Sequence, residues 1–227
     1  MSTLSIPLYH GGDAILTQPK LLPYDSSENS FRYFCTSSDS NTAAKQAFRK
    51  CAASSGAVKP VLNIYDYDMV SAMEKHIRRF SAPVDGKWLD YAAALLRDPR
   101  HPLYDIVLGP PPTEENLRIV RKYISGALGM PEALERINTA KPDDCFSFFT
   151  EEGLSVLRFV EYLYPMRSPL PEHLEEEVNR KVRSLIGEDG PMGYCHIFWR
   201  EKKRILRDEY RIDWKTPAEE YPGVIFD

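Results

Sequence analysis

The chain lacks the cysteine spacing of a zinc ribbon or a disulfide scaffold. Its four cysteines, Cys35, Cys51, Cys145 and Cys195, lie far apart with no C-x-x-C pair, which predicts reduced, buried thiols and a cytoplasmic setting. No window approaches 18 consecutive apolar residues, and residues 1–7 carry neither a basic start nor an apolar stretch, so neither a membrane span nor a cleaved signal peptide is expected. Export would need a route without such a signal. An excess of positive charge is missing too. The formal net charge of -4 gives no global basic field, which disfavours nucleic acid as a partner. There is no G-x-S-x-G elbow, no H-E-x-x-H and no Walker loop, and the five histidines, His10, His76, His101, His173 and His196, are scattered. That removes the common hydrolase and metalloenzyme patterns, and no metal site is expected. Cys195 and His196 are adjacent, but neighbours on a helix point in different directions, so helix packing is the better reading of the pair.

What is present is a chain of 227 residues that is 43% hydrophobic, enough for one substantial core with a smaller appended piece. Residues 5–9 run as a strand into His10-Gly11-Gly12, and residues 13–30, rich in Pro, Ser, Asp and Asn, read as a surface loop. The aromatic density of 31–35 predicts a strand, after which Ser37, Ser38 and Asp39 offer N-cap oxygens for a helix over 41–53, with Ala44, Ala47, Phe48 and Cys51 at helical spacing. Strands are expected at 61–67, 105–108 and 145–149, and helices at 88–97 and 114–128. Thr150-Glu151-Glu152 reads as the opening of a further helix in which Leu154, Leu157, Phe159, Val160 and Leu163 cover a core.

Prolines at 165, 169 and 171 mark a change of composition. Helices over 172–186 and 194–208 follow, then an irregular aromatic tail. This divides the chain into a main domain, 1–165, and a helical extension, 166–227. The basic run from Arg200 to Arg207 is a solvated helix face by default, and it is the one local patch that an acidic partner could meet.

Three strand-borne elements carry the candidate chemistry: Leu8-Tyr9-His10-Gly11-Gly12, Tyr33-Phe34-Cys35-Thr36-Ser37-Ser38 with Phe48 on the next helix, and Asp143-Asp144-Cys145-Phe146. Their order and spacing resemble the histidine, tyrosine and acidic triad of the ADP-ribosyltransferase superfamily. Closer still is the resemblance to a bacterial and fungal family of uncharacterised domains in that superfamily, with blocks reading roughly L-Y-H-G-S, G-F-Y-L-T-T, W-L-D-F, Y-D-I-V-I-G-P and C-F-x-T-E-x-A-L. The matching residues here are Leu8 to Gly12, Tyr33 to Ser37, Trp88-Leu89-Asp90-Tyr91, Tyr104 to Pro110 and Ser147 to Leu154, spanning about residues 6–165.

The resemblance implies an α+β fold, a split β-sandwich with flanking helices in which two small sheets form a cleft for NAD. It implies that His10 bonds the adenosine-side ribose, that Gly11 and Gly12 let backbone approach the ligand beside Tyr9, and that Thr36 and Ser37 line the cleft. Tyr33 or Phe34 would stack on nicotinamide, with Phe48 as a second wall. Alternation allows only one of the pair to face the ligand, and the sequence does not choose. Strict register puts Cys145 at the acidic position, with Asp144 as substitute. Trp88, Asp90 and the 104–110 block read as packing. The implied activity is transfer of ADP-ribose from NAD to a macromolecular acceptor, a protein above all, as in a toxin or effector; the alternatives are a non-catalytic module that binds NAD or ADP-ribose, and a partner-binding protein working through its C-terminal helices. Without the resemblance His10 would read as a turn residue, and the aromatics as core.

Overall fold

The computed structural model describes residues 4–21, 33–54, 58–98, 103–110, 114–139, 146–166, 170–188, 190 and 192–220. Asp144 and Cys145 lie outside the described residues, as does part of the 13–30 loop. The chain is a mixed α+β protein with one eight-stranded sheet and flanking helices. The strands are β1 (Ser5–Gly12), β2 (Phe34–Ser37), β3 (Val61–Asp68), β4 (Ile77–Arg79), β5 (Ile106–Gly109), β6 (Phe146–Phe149), β7 (Leu157–Pro165) and β8 (Ile212–Asp213), in the spatial order β4-β5-β6-β2-β1-β3-β7-β8. They join in that single order, not as two separate small sheets. Parallel pairing is confined to β4 with β5 and β7 with β8.

One face of the sheet is covered by helices. Helix α1 (Ser40–Ala53) starts at Asp39, whose carboxylate accepts from the backbone N–H groups of Asn41 and Thr42. It lies against β1 so closely that a Cβ on Gly11 would stand 1.8 Å from the Ala43 carbonyl oxygen, and Ala43, Leu62, Ile64 and Leu163 close that part of the core. After α2 (Met69–Ala72), helices α3 (Gly86–Arg97), α4 (Glu114–Ile124) and α5 (Met130–Thr139) bury Trp88, Tyr91, Val120 and Ile137 with Phe146 and Phe148. Trp88 is buried and its Nε1–H donates to the Pro110 carbonyl at 3.1 Å, while the Asp90 carboxylate accepts from the Tyr123 hydroxyl. The opposite face carries Leu8, Phe34, Tyr65, Ile106, Phe149 and Val156.

The segment expected as a helix after Thr150 is a short 3₁₀ turn, Gly153–Val156, followed by the strand β7. A bulge explains the misreading. Phe159 pairs with Tyr65 and Glu161 with Ile64, so Val160 is an extra residue. It switches the side-chain alternation, putting Leu157 and Phe159 on one face and Leu163 on the other, so the apolar residues do not follow a clean two-residue period along the segment. The expected helix over 114–128 stops at Ile124, and Gly126 turns the chain at φ 76°.

At the C-terminal end, α6 (Glu172–Ile186) and α7 (Tyr194–Tyr210) pack through Val178, Val182, Ile205 and Leu206. The tail is ordered where described: β8 pairs with the end of β7, Trp214 packs on the same cluster, and a last turn, α8, covers Pro217–Glu220. The cations of the basic run meet carboxylates of this chain: Lys202 with Glu175, Lys203 with Glu219, Arg204 with Glu201 and Arg207 with Glu161. These pairs tie the run to carboxylates of its own chain among the described residues.

Candidate functional site

His10 sits on β1 with its ring on the face opposite α1, 7% exposed. Its Nδ1–H donates to the Cys35 carbonyl at 2.7 Å, and its ring lies on that of Phe34, centroids 4.4 Å apart and 17° from parallel. Burial and the Lys50 charge, partly countered by the Cys35 carbonyl and Asp13, lower its pKa from 6.5 to about 4. The imidazole is therefore neutral at pH 7, and with the proton held on Nδ1 the other nitrogen, Nε2, is an acceptor.

Sheet register extends this into a row. Tyr9 pairs with Ser37, which in an antiparallel ladder brings Thr36 beside His10. Thr36 pairs with Ser147, Ser147 with Leu108, and Leu108 with Arg79, while His10 pairs with Asn63 on the other side. The polar side chains of Ser147, Thr36, His10 and Asn63 thus run side by side across the face, with Leu108 between them and Arg79. Thr36 is fully buried and its Oγ1 has no hydrogen-bond partner among the described residues, a rare state that calls for an explanation.

A strap covers the His10 end. The Asn63 side-chain oxygen accepts from the Leu16 N–H at 2.9 Å, its amide donates to the Ala14 carbonyl at 3.0 Å, and the Tyr65 hydroxyl donates to the Leu16 carbonyl at 2.6 Å. At the other end the face opens into a cleft of about 770 Å³ bounded by Ile6, Leu8, Tyr67, Met73, Leu108 and Ser147, with Arg79 beside them.

The residues singled out in sequence divide between the two faces. His10, Gly12, Phe34 and Thr36 share the open one; a Cβ on Gly12 would stand 3.4 Å from His10 Nε2. Tyr33 is turned to the helix side, its hydroxyl 2.8 Å from that of Tyr91 and its pKa pushed up to about 12 by burial. Phe34, not Tyr33, therefore accompanies His10. Tyr9 packs on the α1 side with Leu62 and Ile64, and the Ser37 hydroxyl there accepts from the Asp39 N–H at 3.0 Å. Gly11 is explained by the contact with α1, and half-buried Phe48 stands on that helix, across the sheet from His10. None of these four lines a site with His10, because strand alternation and the position of α1 put them behind it.

Sequence reading missed Asn63, Tyr65, Ser147 and Arg79. Asn63 had a signal: an amide in the middle of the apolar run Val61–Tyr65 must find partners if buried. Cys35, Cys51 and Cys195 are free thiols, and burial pushes the Cys35 thiol up to about 12, which leaves it protonated and inert. Among the described residues no group of three His, Cys, Asp or Glu could hold a metal ion, and no helix is long and apolar enough to cross a membrane.

No curated protein and no solved structure matches the chain. The model of one family, described as "Protein of unknown function (DUF3990)", matches residues 6–159, and the protein belongs to that family.

Proposed function

We propose that the protein is an NAD-dependent mono-ADP-ribosyltransferase of the ADP-ribosyltransferase-like fold, acting on a macromolecular acceptor, with its donor site on the sheet face opposite α1 at His10, Phe34 and Thr36. The observation that carries the reading is the neutral His10 imidazole, oriented by the Cys35 carbonyl, stacked on Phe34 and flanked by an unpartnered Thr36 hydroxyl. A buried polar–aromatic group of this kind is costly in a core and is useful to a ligand with a hydroxyl and a flat ring. His10 Nε2 would accept from a ribose hydroxyl, Thr36 Oγ1 would gain its missing partner, and Phe34 would stack on nicotinamide. Access requires the 14–16 segment to leave Asn63 and Tyr65.

In the reaction the ribose–nicotinamide bond breaks, nicotinamide leaves with the bonding pair, and the acceptor nucleophile bonds the same ribose carbon and releases its proton. The contribution of this face would be positioning and electrostatic complementarity to the developing ribosyl cation. Asp144 and Cys145, the candidates for stabilising that charge, are outside the described residues.

The test is transfer of label from NAD labelled in its adenylate half to acceptors in a cell lysate, by wild type and by His10→Ala and Phe34→Ala. The reading expects label on macromolecules with wild type and loss of about 100-fold or more with either variant, the range for removing a positioning contact at a reacting centre. Absence of label together with absence of NAD binding discards it. Binding without transfer or nicotinamide release makes the protein a binding module instead.

A further inference from the structure

We infer that the cleft at the β4–β5 end of the sheet is a second site, distinct from the one proposed around His10, for a small molecule with an apolar body and a single oxyanion, and that Arg79 holds the anion. The inference stands on the cleft alone and does not depend on the ribosyl-transfer reading. Its volume of about 770 Å³ lies within the size range of small-molecule sites. The walls are mainly aliphatic and aromatic, with Ile6, Leu8, Met73, Leu108 and Phe146 among them.

Part of that apolar surface stands open to water: Ile6 is 43% exposed, Ile77 40% and Met73 85%. Two methionines, Met69 and Met73, line the cleft, and their unbranched side chains adapt to varied ring or chain shapes. This is more apolar surface than a solvent-filled groove needs, and it favours an apolar occupant.

The charge pattern supplies the other half. Among the described residues, Arg79 alone of those lining the cleft carries a formal charge, no acidic side chain lines it, and its guanidinium makes no ion pair or hydrogen bond. Other cations of the chain, such as Arg158 and Lys181, have carboxylate partners. An unpaired guanidinium beside an apolar wall offers a two-pronged donor to a carboxylate or a phosphate. The hydroxyls of Ser38, Ser81 and Ser147 add a few polar atoms at the margin. That inventory suits one anionic head. It falls short of what a dinucleotide needs, with two phosphates, two riboses, a base and a carboxamide to satisfy.

The experiment measures binding of 2-naphthoate, 2-naphthyl phosphate and uncharged 2-naphthylmethanol to the full chain by ligand-observed NMR. Three proteins are compared: wild type, Arg79→Gln and Ser81→Trp. Arg79 and Ser81 are both exposed, so neither substitution touches the core. Either anion, or both, should bind wild type about 10-fold more tightly than the alcohol, as expected for one charge-assisted contact. The anion that binds better names the natural head group. Arg79→Gln should erase that preference while keeping the weak binding of the alcohol, and Ser81→Trp should abolish binding of all three by filling the cleft. Equal affinity for anion and alcohol, or an anion preference that survives Arg79→Gln, overturns the inference. So does displacement of the bound naphthalene by NAD, which would give the cleft to the dinucleotide and move the donor site of the ribosyl-transfer reading away from His10; that reading fails separately, on absence of transfer and of NAD binding.

Discussion

Lowering the pH from 7 to 4 asks His10 to take up a proton where there is no room for its charge. In the unfolded chain the imidazole protonates below about 6.5, whereas in the folded chain burial and the nearby Lys50 keep it neutral down to about 4. Between those values the unfolded state binds more protons than the folded one, so stability is highest above pH 6.5 and falls as the pH drops. At about 1.4 kcal/mol per pH unit the full gap amounts to roughly 3 kcal/mol, a sizeable part of the stability of an ordinary domain. The assay is urea unfolding at pH 7, 6, 5 and 4, followed by circular dichroism, on wild type and on His10→Gln. The variant removes the titrating group, so what matters is the difference in slope and not the absolute stability. Wild type should lose about 3 kcal/mol more than the variant between pH 7 and 4. Parallel pH dependences for the two proteins would refute the reasoning, because His10 would then titrate alike in both states.

Other consequences follow from close contacts. Gly11→Ala places a methyl carbon 1.8 Å from the Ala43 carbonyl oxygen; α1 must shift, at a cost of about 2 kcal/mol or more, and an unchanged melting temperature would contradict the packing described. Asn63→Ala removes both hydrogen bonds that the amide makes to the strap, so the Leu16 amide should exchange with deuterium at least about 10-fold faster, whereas retained protection would mean that the strap is held by other contacts. Trp88→Phe leaves the Pro110 carbonyl without its indole donor and should cost about 1–3 kcal/mol in denaturant unfolding.

Much of the sheet can be read from residue order because its strands are short apolar or alternating runs closed by turn residues. Val61–Tyr65 and Ile106–Leu108 are examples, and α1 shows its start through Asp39. The failures have physical causes. β7 is hidden by one extra residue at Val160, which shifts the phase of the two-residue alternation midway along the strand. β4 is only Ile77–Arg79, too short to show any period, and it exists because β5 lies beside it. At the candidate site, sequence could place His10 and an aromatic partner near each other but could not assign faces. The choice of Phe34 over Tyr33, and the withdrawal of Tyr9, Ser37 and Phe48 to the other side, depend on the register between β1 and β2 and on which face α1 covers. Arg79 and Ser147 belong to the same row only through three successive strand pairings, information that no single stretch of sequence contains.

The central claim is that NAD enters the face on which His10, Thr36 and Phe34 meet. The most direct measurement is a titration of the protein with NAD at pH 7, followed by the ring nitrogen signals of His10 and the backbone amide of Leu16. The account predicts a saturable shift of the Nε2 signal with the ring remaining neutral, together with loss of protection at Leu16 as the strap leaves Asn63 and Tyr65. If NAD binds while the His10 and Leu16 signals stay where they are, or if it does not bind at all, the donor site is not there.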